Sequence, residues 1–244
     1  MKLYLVRHGQ STGNVSGTLM GQSEHPLTEL GEAQARAAAV RLAPFGPMPL
    51  YCSDLPRAVA TAAHVAAAWS PAGSPIIREP RLREIDLGEY EGASWEEFEA
   101  DEALTAAFAD DPYGTVLPGG ESLAHLEVRV MAAVRDVLGA HGVASQGDLS
   151  TDAVVAADAS AQATGFHSVE PGESACIVAH DGPIRAILNH YLGVPPEKWW
   201  TLSTTHGGVS LLEFSADWVN VRYVNATSHL AGLDGHVYVP SSDG

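Results

Sequence analysis

Apolar runs of strand length alternate with stretches of helical periodicity along the first half of the chain. The runs at residues 3–6 and 50–52 predict buried strands, and a weaker run at 75–78 predicts a third. Between them, the spacing of apolar residues predicts helices at 28–42 and 56–69. Such alternation is typical of a parallel sheet whose strands are connected through helices.

The first predicted helix has a recognisable start and end. Thr28 is a favoured N-cap residue, because its hydroxyl can accept a hydrogen bond from the first helical turn. Pro44 and Gly46 end the pattern. The apolar positions in between predict a buried face made of four residues: Leu30, Ala33, Ala37 and Val40.

The second half of the chain continues the pattern with one interruption. A strongly acidic helix is predicted at 94–108. The clearest helix follows at 121–140, with an apolar stripe of Leu123, Leu126, Val130, Val134 and Val137. A strand at 176–179 and a helix at 183–192 come next, and residues 209–214 and 218–224 predict a hairpin with Asp217 at its turn.

Residues 142–173 interrupt this order. They are rich in Ala, Ser, Gly and Asp and show no clear period, which predicts an insertion or long loop with a short helix around 152–161. The whole pattern predicts an α/β fold, a three-layer αβα sandwich with a mainly parallel central sheet and helices on both faces. One domain spanning residues 1–244 accommodates it.

Charge and composition narrow the possible partners. The chain has 244 residues, 30 of them acidic and 13 of them Lys or Arg, for a formal net charge of −17. A field of this sign repels polyanions, so we expect no binding to nucleic acid or to an anionic membrane surface. If such a protein binds an anionic metabolite, it must gather its few arginines in one pocket.

Two further features of the composition bear on location and redox state. No apolar stretch approaches the roughly 20 residues that span a bilayer, and no secretory signal precedes the first strand, so a cytoplasmic protein is expected. Cys52 and Cys176 both lie in predicted strands. We expect two free buried thiols rather than a disulfide between them.

Polar clusters follow three predicted strands at the point where each strand ends. They are Arg7-His8, Ser53-Asp54 and His180-Asp181, and Arg57 begins the helix after the second cluster. Ligands bind at the carboxyl ends of parallel strands, arginine matches phosphate or carboxylate oxygens, and a neutral imidazole can attack phosphorus. The alternative is that the arginines pair with surface carboxylates and His8 is an ordinary loop histidine. Composition alone leaves both interpretations open.

A family resemblance favours the first interpretation. Residues 5–12, Leu-Val-Arg-His-Gly-Gln-Ser-Thr, resemble the Arg-His-Gly motif of the histidine phosphatase superfamily, also called phosphoglycerate-mutase-like. Five further segments resemble that family's motifs in the same order: Pro26-Leu27-Thr28, Ser53-Asp54-Leu55 with Arg57, Leu82-Arg83-Glu84, Pro118-Gly119-Gly120 and Val178-Ala179-His180-Asp181-Gly182. The resemblance extends over nearly the whole chain outside residues 142–173.

The resemblance implies a role for each matching residue. His8 attacks phosphorus and becomes phosphohistidine, while Arg7, Arg57 and His180 bind the phosphoryl oxygens. Glu84 protonates the leaving group and then acts as base toward water. The expected substrate-side residues are Asn14, Met20, Gly21 and Asp181. No metal or cofactor is expected, because guanidinium and imidazolium groups would supply the positive charge.

Several alternatives stay open at this point. A mutase or a phospho-ligand binding protein without turnover could carry the same motifs, but residues 96–111 contain no Lys or Arg to hold a second phosphate, which favours a phosphatase. We expect a small phosphorylated metabolite as substrate, and a homodimer is compatible with this fold. His206 and His229 could contribute to the pocket, although a structural role is the expectation for both.

Overall fold

The structure, a computed structural model, describes residues 1–70, 72–143, 174–215 and 218–233. Its centre is a six-stranded sheet in the order β3-β2-β4-β1-β5-β6. The strands are β1 (Lys2–Arg7), β2 (Leu50–Cys52), β3 (Ile76–Arg78), β4 (Ser174–Ala179), β5 (Val209–Phe214) and β6 (Val219–Ala226). The first four in sheet order are parallel, and β5 and β6 add an antiparallel edge.

Helices cover both faces of this sheet. They are α1 (Glu29–Leu42), α2 (Pro56–Trp69), α3 (Trp95–Glu99), α4 (Glu102–Asp110), α5 (Leu123–Ala140) and α6 (Asp181–Leu192). Since strand side chains alternate between faces, Leu3 and Leu5 of β1 pack with α5 and α6, whereas Tyr4 and Val6 pack with α1 and α2. The predicted αβα sandwich with a mainly parallel sheet is confirmed.

Two local predictions are wrong. The acidic stretch forms two helices, α3 and α4, because the Asp101 side chain accepts a hydrogen bond from Leu104 N and starts a new helix. In α1 the face predicted to be buried is not the buried one, and Val40 is 73% exposed. The buried positions are instead Gly31, Gln34, Ala35, Ala38, Ala39 and Leu42. Alanines occur around much of this helix, so the apolar pattern does not distinguish one face from another.

Other predictions are confirmed or lie outside the described residues. Cys52 and Cys176 are buried and free, as expected. The insertion from residue 144 onward, its short helix and Asp217 fall outside the described part of the chain. Across the ranges described, no helix is both long enough and apolar enough to cross a membrane.

The carboxyl ends of three parallel strands lie side by side at one edge of the sheet. His8 N, just after β1, donates to Ala179 O of β4 at 2.9 Å, and Ser53 N, just after β2, donates to Val178 O at 3.0 Å. The polar clusters that end β1, β2 and β4 are therefore brought together, as their positions predicted.

Candidate active site

His8 lies among the carboxyl ends of β1, β2 and β4 and is only 2% exposed. Its Nδ1 lies 2.6 Å from Gly9 O. A carbonyl oxygen only accepts hydrogen bonds, so Nδ1 carries the proton and Nε2 keeps its lone pair. The local backbone thus holds the ring in the tautomer that leaves Nε2 as a nucleophile.

The surroundings of His8 also keep it uncharged. Burial lowers its pKa well below the ordinary value of 6.5, and His180, His206, Arg57 and Arg7 lower it further. The cationic neighbours expected from the sequence contribute, but desolvation is the largest cause. His8 is therefore neutral over the whole physiological pH range.

The loop that carries His8 lies directly against the start of α1. Gly9 N donates to Thr61 Oγ1 at 3.1 Å, and Gly31 N donates to the N-cap hydroxyl of Thr28 at 3.0 Å. A Cβ added at Gly31 would lie 1.9 Å from Gln10 O, and one added at Gly9 would lie 2.2 Å from Gly31 O. Glycine at both positions lets the two backbones approach closely enough to fix the loop.

We expect Gly31→Ala to destabilise the protein by roughly 1–3 kcal/mol, because the new methyl group must displace backbone rather than a flexible side chain. For a chain of this size the melting temperature should fall by several degrees. Gly139→Ala is the matched control, since a Cβ there meets no atom within 4 Å, and it should leave stability unchanged or slightly improved. Equal melting temperatures for Gly31→Ala and the wild type would contradict the close approach.

Arg57 and His180 form the second part of the site. Arg57 Nε donates to His180 Nδ1 at 3.2 Å, and His180 Nε2 lies 2.8 Å from Ser53 Oγ. Because Nδ1 accepts, His180 carries its proton on Nε2 and donates to Ser53. Burial and then the charge of Arg57 lower the pKa of His180 well below 6.5. The expectation that an imidazolium supplies part of the positive charge is therefore wrong for His180, which is neutral. The positive charge comes from the arginines.

Arg57 is fully buried and held by main-chain carbonyls. Its Nη1 donates to Ser23 O at 2.9 Å and its Nη2 to Gly21 O at 2.6 Å. Burial lowers the pKa of Arg57, yet an arginine remains charged at any physiological pH. Each terminal nitrogen retains a second N–H that can donate to an anion.

Arg7 lies on the other side of His8, next to Asp181. Arg7 Nη1 donates to Thr204 O and is 3.6 Å from Asp181 Oδ1, while Asp181 Oδ2 accepts from Arg185 Nε at 2.7 Å. Arg7 Nε is buried without a hydrogen-bond partner. Asp181 thus orients the guanidinium group of Arg7. Donors of this group, among them the unpaired Nε, stay available for a ligand.

Glu84 faces the same region from the loop after β3. Its Oε2 accepts from Gly182 N at 3.2 Å and its Oε1 from Ile85 N at 2.9 Å. Burial raises the pKa of Glu84, Asp181 raises it further, and these two hydrogen bonds and Arg57 oppose the rise. Arg129 Nη2 donates to Glu84 O at 2.8 Å and fixes the main chain. Glu84 can therefore hold a proton at a higher pH than an exposed glutamate.

The four residues predicted on the substrate side differ in placement. Asp181 is in the site, as described above. Gly21 anchors Arg57 through its carbonyl, and its N–H donates to Glu91 Oε1 at 2.9 Å. Asn14 Oδ1 accepts from Ser11 N at 2.8 Å, and Met20 Sδ accepts from Ser11 Oγ at 3.6 Å. Their contacts are within the loop after His8, and their contact with substrate stays a prediction.

Three residues without an assigned role in the sequence analysis contact the site. Ser53 Oγ accepts from His180, and Thr204 binds both Arg7 and Asp181. His206 lies beside His8, with ring centroids 5.5 Å apart. Ser53 was expected in the site from its place at the end of the second strand, and His206 was expected to be structural although a place in the pocket was left open. No sequence signal distinguishes Thr204. His229 donates from Nε2 to Gly207 O at 2.8 Å, in keeping with the expected structural role.

The arrangement combines a neutral nucleophile, fixed positive charge and a protonatable carboxyl group. Within the part of the chain that the structure describes, no group of three His, Cys, Asp or Glu side chains could hold a metal ion. Whether the reaction needs a metal stays a prediction. The residues present can bind a tetrahedral anion, attack it and move a proton without one.

Comparisons with known proteins agree with this chemistry. Residues 3–147 and 150–227 match the model of a family described as the histidine phosphatase superfamily, branch 1. A putative phosphoserine phosphatase 2 of Hydrogenobacter thermophilus is 28% identical over 95% of this chain and 98% of its own. A probable phosphoglycerate mutase GpmB of Enterobacter sp. is 38% identical over 57% of this chain, and that alignment spans 63% of the relative.

Among solved structures, a mycobacterial glucosyl-3-phosphoglycerate phosphatase in complex with VO3 superposes with a TM-score of 0.70. It is 27% identical and covers 92% of this chain and 98% of its own. The predicted family is thereby confirmed, and names of both phosphatases and mutases occur among the similar proteins.

Proposed function

Because the chain belongs to the histidine phosphatase superfamily, we propose that it hydrolyses small phosphomonoesters through a phosphohistidine at His8, without a metal. The observation that carries this proposal is the hydrogen bond from His8 Nδ1 to Gly9 O at 2.6 Å. It leaves the lone pair of Nε2 free, as nucleophilic attack requires. The enzyme class agrees with the relatives named as phosphatases.

In the first step of this mechanism His8 Nε2 attacks phosphorus and the bond from phosphorus to the ester oxygen breaks. Glu84 gives its proton to that oxygen, so the leaving group departs as an alcohol. In the second step Glu84, now a carboxylate, takes a proton from water, and the oxygen of that water attacks the phosphohistidine. Inorganic phosphate leaves, and His8 and Glu84 return to their starting states.

Arg7 and Arg57 bind the equatorial phosphoryl oxygens in this proposal and stabilise the charge of the transition state. His180 is neutral and therefore contributes no formal charge to the site. Its ring lies 4.9 Å from the His8 ring, centroid to centroid, and it can turn its Nε2–H from Ser53 to a phosphoryl oxygen. Gly21 acts through Arg57, and Asp181 acts through Arg7. Asn14 and Met20 shape the substrate side through Ser11.

The acceptor of the phosphoryl group decides between phosphatase and mutase. A mutase must hold a substrate with two phosphates and therefore needs further cations near the site. Residues 96–111, which include most of α3 and all of α4, contain no Lys or Arg. Water is therefore the acceptor that this chain favours. The relatives named phosphoglycerate mutase make transfer between phosphoglycerates the alternative.

The substrate class follows from the same charges. Two site arginines suit a single phosphoryl group, and the acidic α3–α4 segment repels molecules that carry many phosphates. A sugar phosphate, a phosphorylated amino acid or a glycosylated phosphoglycerate fits these limits. The named relatives act, by their names, on compounds of this size.

The test is phosphate release from a panel of phosphomonoesters in excess EDTA. The panel should contain sugar phosphates, 2- and 3-phosphoglycerate, phosphoserine, nucleoside monophosphates and p-nitrophenyl phosphate. Release that is unaffected by EDTA supports the proposal, and the best substrate identifies the chemical class. Interconversion of the two phosphoglycerates without net phosphate release would establish the mutase instead.

A further inference from the structure

A tightly held loop, residues 204–208, forms one wall beside His8. Gly207 N donates to Arg7 O at 2.9 Å, and Arg7 N donates to Gly208 O at 3.2 Å. On its outer side, Thr205 N donates to Asn225 Oδ1 at 2.7 Å and Asn225 Nδ2 returns a hydrogen bond to Thr205 Oγ1 at 3.1 Å. Together with the hydrogen bond from His229 Nε2 to Gly207 O, these contacts give the loop a defined conformation.

This loop places the His206 ring against the nucleophile. The ring centroids of His206 and His8 are 5.5 Å apart, at an interplanar angle of 50°. His206 also lies within electrostatic reach of Arg7, Arg57 and Asp181. It therefore lies near both arginines that bind the phosphoryl group in the proposed function.

The Nε2 atom of His206 is buried without a hydrogen-bond partner. A buried polar atom left unpaired costs free energy, and such atoms in a native protein call for a reason such as a ligand. Arg7, whose charge acts on both His8 and His206, also has an unpaired nitrogen, Nε. Two unpaired nitrogens on residues beside His8 indicate that both acquire a partner when the site is filled.

We propose that His206 is a phosphoryl-binding residue, whose Nε2–H donates a hydrogen bond to an oxygen of the phosphoryl group on substrate and on phosphohistidine. This inference rests on the proposed function and assigns it an additional binding residue. The ligand class is a tetrahedral or trigonal oxyanion bound at His8. Donation from a neutral ring adds a hydrogen bond to the pocket without adding charge.

His206 is suited to that role because it does not ionise in this environment. Burial is the largest cause, Arg7 and Arg57 also lower the pKa of His206 and Asp181 opposes them, and together they bring it to about 2. A neutral imidazole has one N–H, so donation from Nε2 requires the proton to be on Nε2 rather than Nδ1. The carboxylate of Asp181 is paired with Arg7, Arg185 and Thr204 and does not compete for this N–H.

The experiment measures vanadate binding by calorimetry and hydrolysis of p-nitrophenyl phosphate for His206→Ala and His206→Asn. Vanadate needs no turnover, and asparagine keeps an N–H donor while removing the ring. We expect His206→Ala to weaken vanadate binding at least about 10-fold and to lower kcat/KM about 100-fold, as for other single donors to a transition-state oxyanion. His206→Asn should retain most of both, and melting temperatures should show that both variants are folded.

Either of two results would overturn the inference. One is wild-type vanadate binding and kcat/KM in His206→Ala. The other is an equal loss in both variants together with lowered melting temperatures, which would mean that His206 only packs the loop. If wild-type protein binds vanadate but hydrolyses no ester, the proposed function fails, while the vanadate result for the two variants still decides the role of His206.

Discussion

Replacement of His8 by alanine is expected to reduce phosphate release by about 10⁴-fold or more, which is the scale observed when a covalent nucleophile is removed. The reason is that His8 Nε2 is the atom that forms the new bond to phosphorus, and neither arginine can replace it. When the reaction is stopped rapidly without acid, the measured mass of the wild-type protein should be higher by that of one phosphoryl group. His8→Ala should show none with any substrate.

His8→Asn and His64→Ala are the controls for this experiment. Asparagine can still donate to Gly9 O, so it keeps the local hydrogen bond that His8 Nδ1 makes at 2.6 Å, yet it offers no nucleophile. His64, whose Nε2 lies 2.6 Å from Glu32 Oε2 on the neighbouring helix, has no role in the proposed mechanism. Turnover should be lost in the first and retained in the second. Phosphoryl transfer that continues in His8→Ala would mean that another residue is the nucleophile.

The parts of this site that could be predicted from sequence are those whose position follows from strand order. Arg7 ends β1, His8 follows it directly and His180 directly follows β4. Arg57 lies in the first turn of the helix after β2. Parallel strands place their carboxyl ends at one edge, so these four residues had to approach one another. Glu84 was located by its motif, and the structure brings it to Gly182 N at 3.2 Å.

The rest depends on contacts between segments distant in sequence. The protonation of His180 follows from Arg57 Nε, 123 residues away, and could not be read from either motif. His206 is placed by a loop whose conformation depends on Asn225 and His229. The buried face of α1 was missed for a related reason, since Gln34 is buried because its Oε1 accepts from Gln10 N at 2.9 Å.

Arg57 keeps its positive charge for a ligand although the chain as a whole is strongly acidic. Of the arginines near the pocket, Arg83 pairs with Asp54 at 2.6 Å and Arg129 pairs with Glu121, whereas Arg57 is bound by carbonyl oxygens and by His180. Carbonyls hold a guanidinium group in place without neutralising its charge. The full charge of Arg57 is thus available to a phosphoryl group in a protein whose net charge is −17. The sequence predicted the concentration of arginines, but only the structure distinguishes Arg57 from the paired ones.

Glu84→Gln is expected to separate the two chemical steps. Glutamine cannot protonate an alkoxide, so kcat for alkyl phosphates should fall by about 10²- to 10⁴-fold. With p-nitrophenyl phosphate the leaving phenolate needs no proton, and the first step should remain fast. The second step needs a base to activate water, so phosphohistidine should accumulate. Stopped-flow absorbance should therefore show a burst of about one nitrophenol per enzyme, followed by slow turnover.

The pH dependence supplies an independent check on the same residue. Glu84 must be protonated to act as an acid, and its raised pKa extends that form to higher pH. For alkyl phosphates the wild-type kcat/KM should therefore be present below the raised pKa and lost as the pH rises through it. His8 should not cause a fall in kcat/KM on the acidic side of the pH profile near pH 6.5, because its pKa lies well below that value. Glu84→Gln should lack the alkaline limb. A variant that shows neither a burst nor a changed pH profile would assign the proton to another group.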